Sequence, residues 1–130
     1  MKLSVPDYVV LIVEDLDRAL RFYTEVLGLR LAHRSGDYAQ LATGATRVGL
    51  YTRDAMAKTL GTPLKKPSQN APGFEIGFKV PDADAAFSEL VARGASPTMP
   101  PTTRPWGQRT AYVRDPDGHL IELAQDLRSA

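Results

Sequence analysis

Apolar positions cluster first at 8–13, YVVLIV, a β-branched run that predicts a strand capable of burial on both faces. Alternation along it places Tyr8, Val10 and Ile12 on one side. Leu16, Ala19, Leu20, Tyr23, Val26 and Leu27 then recur at helical spacing, with Asp15 as a candidate N-cap and Gly28 as the stop. Strands are predicted over 29–34, 38–43 and 47–52, with turns at SGD and TGA. Residues 54–72 carry prolines, glycine and a lysine pair and read as a linker, with one helical turn near 55–60. The pattern then restarts. FEIGFKV is a strand, and Asp82 caps a helix bearing Ala83, Ala86, Phe87, Leu90 and Val91. The segment PTMPPTTRPWG reads as a proline-rich loop. Strands RTAYVRD and HLIELAQ follow, joined by a tight DPDG turn in which Asp115, Asp117 and Gly118 are structural.

The two halves repeat. Val13 aligns with Val80 and Asp15 with Asp82, an offset of 67; later, Gly44 aligns with Gly118 and Leu50 with Leu123. The chain is therefore read as α+β, one domain over 1–130 built of two β-α-β-β-β modules, 5–53 and 73–126, joined by the 54–72 linker. Neither module is large enough to bury both faces of its sheet alone. The expected arrangement is a pair of curved mixed sheets around a concave pocket, a common setting for small ligands.

Composition narrows the function. In 130 residues, 16 basic and 15 acidic side chains leave a net charge of +1, a poor electrostatic match to nucleic acid. No stretch approaches a membrane span. The N-terminal apolar run meets Glu14 and Asp15 and reads as a strand rather than a signal peptide, so the expected location is the cytoplasm. Cysteine is absent, which removes disulfides, thiolate ligands and a cysteine nucleophile, and only His33 and His119 supply imidazole. No serine sits in a nucleophile-elbow context, and no P-loop or GxGxxG is present.

The stretches VEDLDRALRFYTEVLGL, DPDGHLIEL and, more weakly, FEIGFKVPDADAAF resemble the vicinal oxygen chelate superfamily. That group includes glyoxalase I, extradiol dioxygenases and the fosfomycin and bleomycin resistance proteins. The resemblance covers essentially the whole chain and implies the paired-module fold. It does not choose among the chemistries that fold hosts. In the metal enzymes of the superfamily each module offers one ligand on its first strand and one on its last. Those positions fall here on Tyr8, Gly49, Glu75 and Glu122. Two carboxylates and a phenol, with no imidazole, are a thin set for zinc, iron or nickel. No metal site and no cofactor are therefore expected.

The candidate ligand-binding residues are Tyr8, Tyr38, Gly49, Tyr51, Glu75, Trp106, Tyr112 and Glu122. The tyrosines and Trp106 supply apolar area with a polar tip. Gly49 leaves room for a bulky group or marks a bulge. Glu75 and Glu122, if they face one cavity, repel unless a cation lies between them, which Arg47, Arg104, Arg109 or a ligand could supply. A PWG segment ahead of the DPDG strand is similar to the bleomycin resistance proteins. That likeness implies a binding protein for a planar, antibiotic-like small molecule, acting in resistance or self-protection as a homodimer, with two equivalent pockets at its interface. The alternatives are a metal-dependent glyoxalase-like lyase or dioxygenase, and a metal-independent isomerase or lyase using Glu75 or Glu122.

Overall fold

The computed structural model describes residues 1, 3–66 and 73–127; positions 67–72 of the expected linker lie outside them. The chain divides into two compact units, residues 1–66 and 67–130.

In unit 1, strand β1 (Tyr8–Val13) leads into helix α1 (Leu16–Arg21). The carboxylate of Asp15 accepts the Arg18 backbone N–H at 3.0 Å, the N-cap bond that an aspartate at this position can make. The helix does not run on as α to Gly28. It widens into a π turn, Phe22–Val26, in which Leu27 N–H reaches back to the Phe22 carbonyl at 3.0 Å. Strands β2 (Arg30–Ser35), β3 (Tyr38–Ala42) and β4 (Arg47–Thr52) complete the module. The order is β1-β4-β3-β2, with β1 parallel to β4 and the other neighbours antiparallel.

Helix α2 (Arg53–Leu60) follows without a break, longer than the single turn expected. The Thr52 hydroxyl caps it on the Ala55 N–H at 3.2 Å. Arg53, buried, is ion-paired to Glu14 at the end of β1. Gly61 ends the helix with φ of 75°, a left-handed conformation that glycine adopts without strain.

Unit 2 repeats the plan with β5 (Glu75–Lys79), α3 (Ala83–Ala92), β6 (Ser96–Arg104), β7 (Gln108–Arg114) and β8 (Leu120–Asp126) in the order β5-β8-β7-β6. Asp82 caps α3 on the Ala85 N–H at 3.0 Å, as Asp15 caps α1. The proline-rich segment expected as a loop is strand β6. It lies at the edge of its sheet, where Pro97, Pro100 and Pro101 need not donate to a neighbour on both sides, and its pairing with β7 shifts register around them.

The alternation of side chains sorts each sheet into two faces. In unit 1, Leu11, Val13, Ala39, Leu41, Val48 and Leu50 are buried on the side that receives Leu16, Ala19 and Leu20, and α1 packs against β3 and β4. In unit 2, Ala111, Val113, Ile121 and Leu123 are buried on the side that receives Ala83 and Leu90 of α3. Each such leucine or isoleucine contributes about 1.5–3 kcal/mol through burial.

The expected curvature around a concave pocket is not what the sheets show. Each is an open four-stranded sheet, with β1 and β2 at the edges of one and β5 and β6 at the edges of the other, and neither curls or closes. Four strands are about half the number that closes even a small barrel. Among the described residues, no helix is long and apolar enough to cross a membrane.

Candidate functional site

The faces turned away from α1 and α3 carry most of the candidate residues, one set in each unit. In unit 1, the ladder pairs Tyr8 with Arg47, Val10 with Gly49 and Ile12 with Tyr51, and on the other side of β4 pairs Gly49 with Gln40 and Tyr51 with Tyr38. Tyr8, Tyr38, Gly49 and Tyr51 therefore share one face. The space above Gly49 is taken: a Cβ there would lie 2.6 Å from the Tyr38 hydroxyl oxygen and 2.9 Å from its ring. The Tyr38 ring stands edge-on to Tyr51, centroids 6.1 Å apart, and tilted to His33 at 5.9 Å. Its hydroxyl donates to Gln40 Oε1 at 3.2 Å, and the Tyr51 hydroxyl meets Thr59 Oγ1 of α2 at 2.9 Å. Tyr8 is exposed, and its ladder neighbour Arg47 is ion-paired to Asp7.

In unit 2, Glu122 stands between Gly77 on β5 and Tyr112 on β7. Gly77 is what admits the carboxylate: a Cβ there would sit 3.0 Å from Glu122 Oε1. On the other side, the Tyr112 hydroxyl donates to Glu122 Oε2 at 2.9 Å. Glu75, two residues before Gly77, lies on the same face, with Glu122 as its charged neighbour. The residue as a whole is exposed, but its carboxyl loses hydration there. That loss comes first, and the neighbouring Glu122 carboxylate adds to it; together they raise the Glu75 pKa above its ordinary value. Burial, then the hydrogen bond to Glu122, then the Glu122 and Glu75 charges push the Tyr112 hydroxyl up to about 12, so it remains a donor through the physiological range.

The arginines considered as partners for the glutamates are engaged elsewhere. Arg109 grips Asp84 of α3 with Nε at 2.6 Å and Nη2 at 2.9 Å, Arg104 donates to Thr110 Oγ1 at 2.9 Å, and Arg47 holds Asp7. Trp106 lies in the three-residue turn between β6 and β7, largely exposed, with its indole N–H donating to Gln108 Oε1 at 2.8 Å. Gln40, Gly77 and Gln108 were absent from the candidates drawn from sequence. The period-2 pattern alone could have placed Gly77 beside Glu75; the other two are visible only once the register is known.

The residues present do not fit the metal of the superfamily. At the four ligand positions stand an exposed phenol, a glycine with a tyrosine ring across it, and two glutamates, of which Glu122 accepts from the Tyr112 hydroxyl. Among the described residues, no three His, Cys, Asp or Glu side chains gather as a metal would require. His33 sits exposed on β2. His119 is committed to the DPDG turn: its Nδ1 meets Asp115 Oδ2 at 2.8 Å, while Asp115 Oδ1 accepts the N–H groups of Asp117 and His119.

Comparison with known proteins agrees with this architecture. The chain is 32% identical over 121 residues to the uncharacterized protein YraH of Bacillus subtilis, spanning 90% of this chain and 94% of that one. It is 30% identical over 134 residues to the probable lactoylglutathione lyase of Vibrio parahaemolyticus, spanning 95% and 91%. A glyoxalase/bleomycin resistance protein/dioxygenase from Nocardioides has the same fold, with a TM-score of 0.85 at 23% identity over 100% of this chain and 88% of that one. TioX from Micromonospora sp. ML1 superposes at a TM-score of 0.71 and 30% identity, over 95% and 100%. Residues 5–123 match the family as a whole, so the repeated β-α-β-β-β units and the sequence agree that this chain belongs to the Glyoxalase/Bleomycin resistance protein/Dioxygenase superfamily.

Proposed function

We propose that the protein binds a small planar molecule, aromatic or antibiotic-like, and sequesters it without transforming it, as a bleomycin-resistance-like member of its superfamily. The observation that carries this reading is what occupies the ligand positions of the metal enzymes: the phenol of Tyr8, the Tyr38 ring over Gly49, and the Glu75–Glu122 pair with Tyr112. Tyr38 and Tyr51 offer ring area with polar tips. Glu75 and Glu122 offer acceptors to a cationic or hydrogen-bond-donating group. Trp106 offers an exposed stacking surface. The binding set is thus Tyr8, Tyr38, Gly49, Tyr51, Glu75, Trp106, Tyr112 and Glu122, the role is resistance or self-protection, and the working form is a homodimer.

Trp106 is the sole tryptophan, so its fluorescence tests the reading. Titration with 9-aminoacridine, a planar cation, and phenazine, a neutral planar molecule, should each give a saturable change. Replacing both glutamates by Gln should weaken the cation and leave phenazine nearly unaffected. No saturable change with either probe would sink the binding reading.

A second reading is favoured by the Vibrio relative, named a probable lactoylglutathione lyase: a glyoxalase-like lyase or dioxygenase-like enzyme with an irregular metal site. The raised pKa of Glu75 favours a metal-independent variant of it, an isomerase or lyase in which Glu75 or Glu122 moves a proton. Turnover that survives exhaustive chelation and disappears in Glu75→Gln would select that variant over both others.

A further inference from the structure

Trp106 is presented in an unusual way for a large apolar side chain. It is 63% exposed, yet both its backbone and its indole are tied down. The turn 105–107 closes between Arg104 and Gln108, which face each other in the β6–β7 ladder. Gly107 adopts φ of 91°, a conformation that suits glycine, and its N–H donates to the Arg104 carbonyl at 3.2 Å. The Gly107 carbonyl in turn accepts the Leu127 N–H at 3.0 Å, so the turn is fastened to the end of β8.

The side chain is held by a relay across the sheet. Indole Nε1 donates to Gln108 Oε1 at 2.8 Å, Gln108 Nε2 donates to Asp126 Oδ1 at 3.0 Å, and Lys79 Nζ donates to the same oxygen at 2.7 Å. The relay thereby links β7, β8 and β5. Its chemistry is directional. An indole N–H can only donate, so Gln108 must turn its oxygen toward Trp106. An ionised carboxylate can only accept, so Asp126 takes the amide nitrogen and fixes which way the glutamine faces. The bonds from Lys79 and Gln108 hold the Asp126 carboxyl below its usual pKa, which keeps it in the accepting form.

We infer that Gln108, Asp126 and Lys79 are positioning residues that hold the Trp106 indole as a preset stacking surface for a planar ligand. The inference rests on Trp106 being a ligand contact, as proposed above. None of the three need touch the ligand. Their effect is to remove rotamer freedom from the indole before binding, so that less is lost on binding.

Ligand-free and ligand-bound readouts separate the two ideas. In ligand-free protein, Gln108→Leu and Asp126→Ala should add a fast, large-amplitude component to the time-resolved anisotropy of Trp106, and Lys79→Met a smaller one, with far-UV circular dichroism unchanged. The first two variants should bind 9-aminoacridine about two- to tenfold more weakly than wild type, the scale of ordering one side chain. An unchanged anisotropy decay in both would overturn the relay. A faster decay with unchanged affinity would overturn the positioning role while leaving ligand binding in place. If wild type fails to bind the probe, or Trp106→Ala binds it as tightly, the ligand half of the inference falls together with the binding reading, and the anisotropy result then stands as a property of the fold alone.

Discussion

The helix-covered faces of the two sheets are built alike, while their open faces have diverged. Leu50 in unit 1 and Leu123 in unit 2 occupy corresponding places on the last strand of each module, both buried on the helix side. One residue earlier on that strand, the side chain points the other way, and there unit 1 has Gly49 and unit 2 has Glu122. Each unit has answered its own choice locally. Gly49 is roofed by the Tyr38 ring, whereas Glu122 gains its space from a glycine on the neighbouring strand, Gly77. The result is an aromatic, tyrosine-rich face in one unit and a carboxylate–phenol cluster in the other. Packing against the helix constrains a position that must fill a fixed volume. A face without α1 or α3 packed across it is free to change its chemistry one residue at a time.

The largest effects should therefore be the same in both units. Leu50→Ala and Leu123→Ala should each cost about 2–5 kcal/mol by denaturant unfolding, with similar values for the two. A loss at Leu123 below about 1 kcal/mol would mean that the helix faces are not equivalent.

The glycines should separate the units. Gly49→Ala drives a methyl group into the Tyr38 ring and should cost about 1–3 kcal/mol, relieved by a second change of Tyr38→Ala. Gly77→Ala meets only the flexible end of Glu122 and should stay within about 0.5 kcal/mol of wild type. Equal costs would erase the contrast.

The polar cluster gives smaller effects. Tyr112→Phe removes the donor to Glu122 and should destabilise by about 0.5–1.5 kcal/mol. It should also delete, from an alkaline ultraviolet titration, a phenol that ionises near pH 12. Glu75→Gln should act with the opposite sign. Because the folded-state pKa of Glu75 is raised, the folded protein holds this proton more tightly than the unfolded chain does. The associated stability is present below the unfolded carboxylate range and is lost as pH rises through the folded pKa. The Gln variant should therefore be more stable at pH 7, by about 0.5 kcal/mol for an exposed like-charge pair, and indistinguishable from wild type at about pH 3.

The helix-facing half of this picture is written in the sequence directly. YVVLIV, the stripes after Asp15 and Asp82, and the 67-residue offset are consequences of burial periodicity and capping, and the structure places strands, helices and caps accordingly. Strand β6 was hidden because its prolines argue against a central strand and are silent about an edge. The π turn after Arg21 keeps an apolar stripe much like that of an α-helix, so the pattern could not reveal it. The open sheets were hidden too: a repeat indicates that two modules exist, and curvature depends on strand twist and edges that alternation does not encode. At the site, the shared face of Glu75 and Glu122 is what the superfamily resemblance implies, and the ladder puts Glu122 opposite Gly77, two residues from Glu75. The Tyr38 ring over Gly49, the space given by Gly77 and the Trp106–Gln108–Asp126 relay depend on which residues stand opposite one another across strands.

The central proposal is that the open faces serve ligand binding in place of the metal chemistry of the superfamily. Its most direct test is the metal content of protein purified without chelator and then equilibrated with zinc, nickel, manganese or ferrous iron and desalted. The account predicts far less than one equivalent of any of these per chain, unchanged by Glu75→Gln or Glu122→Gln. One equivalent retained per wild-type chain, and lost in those variants, would contradict it.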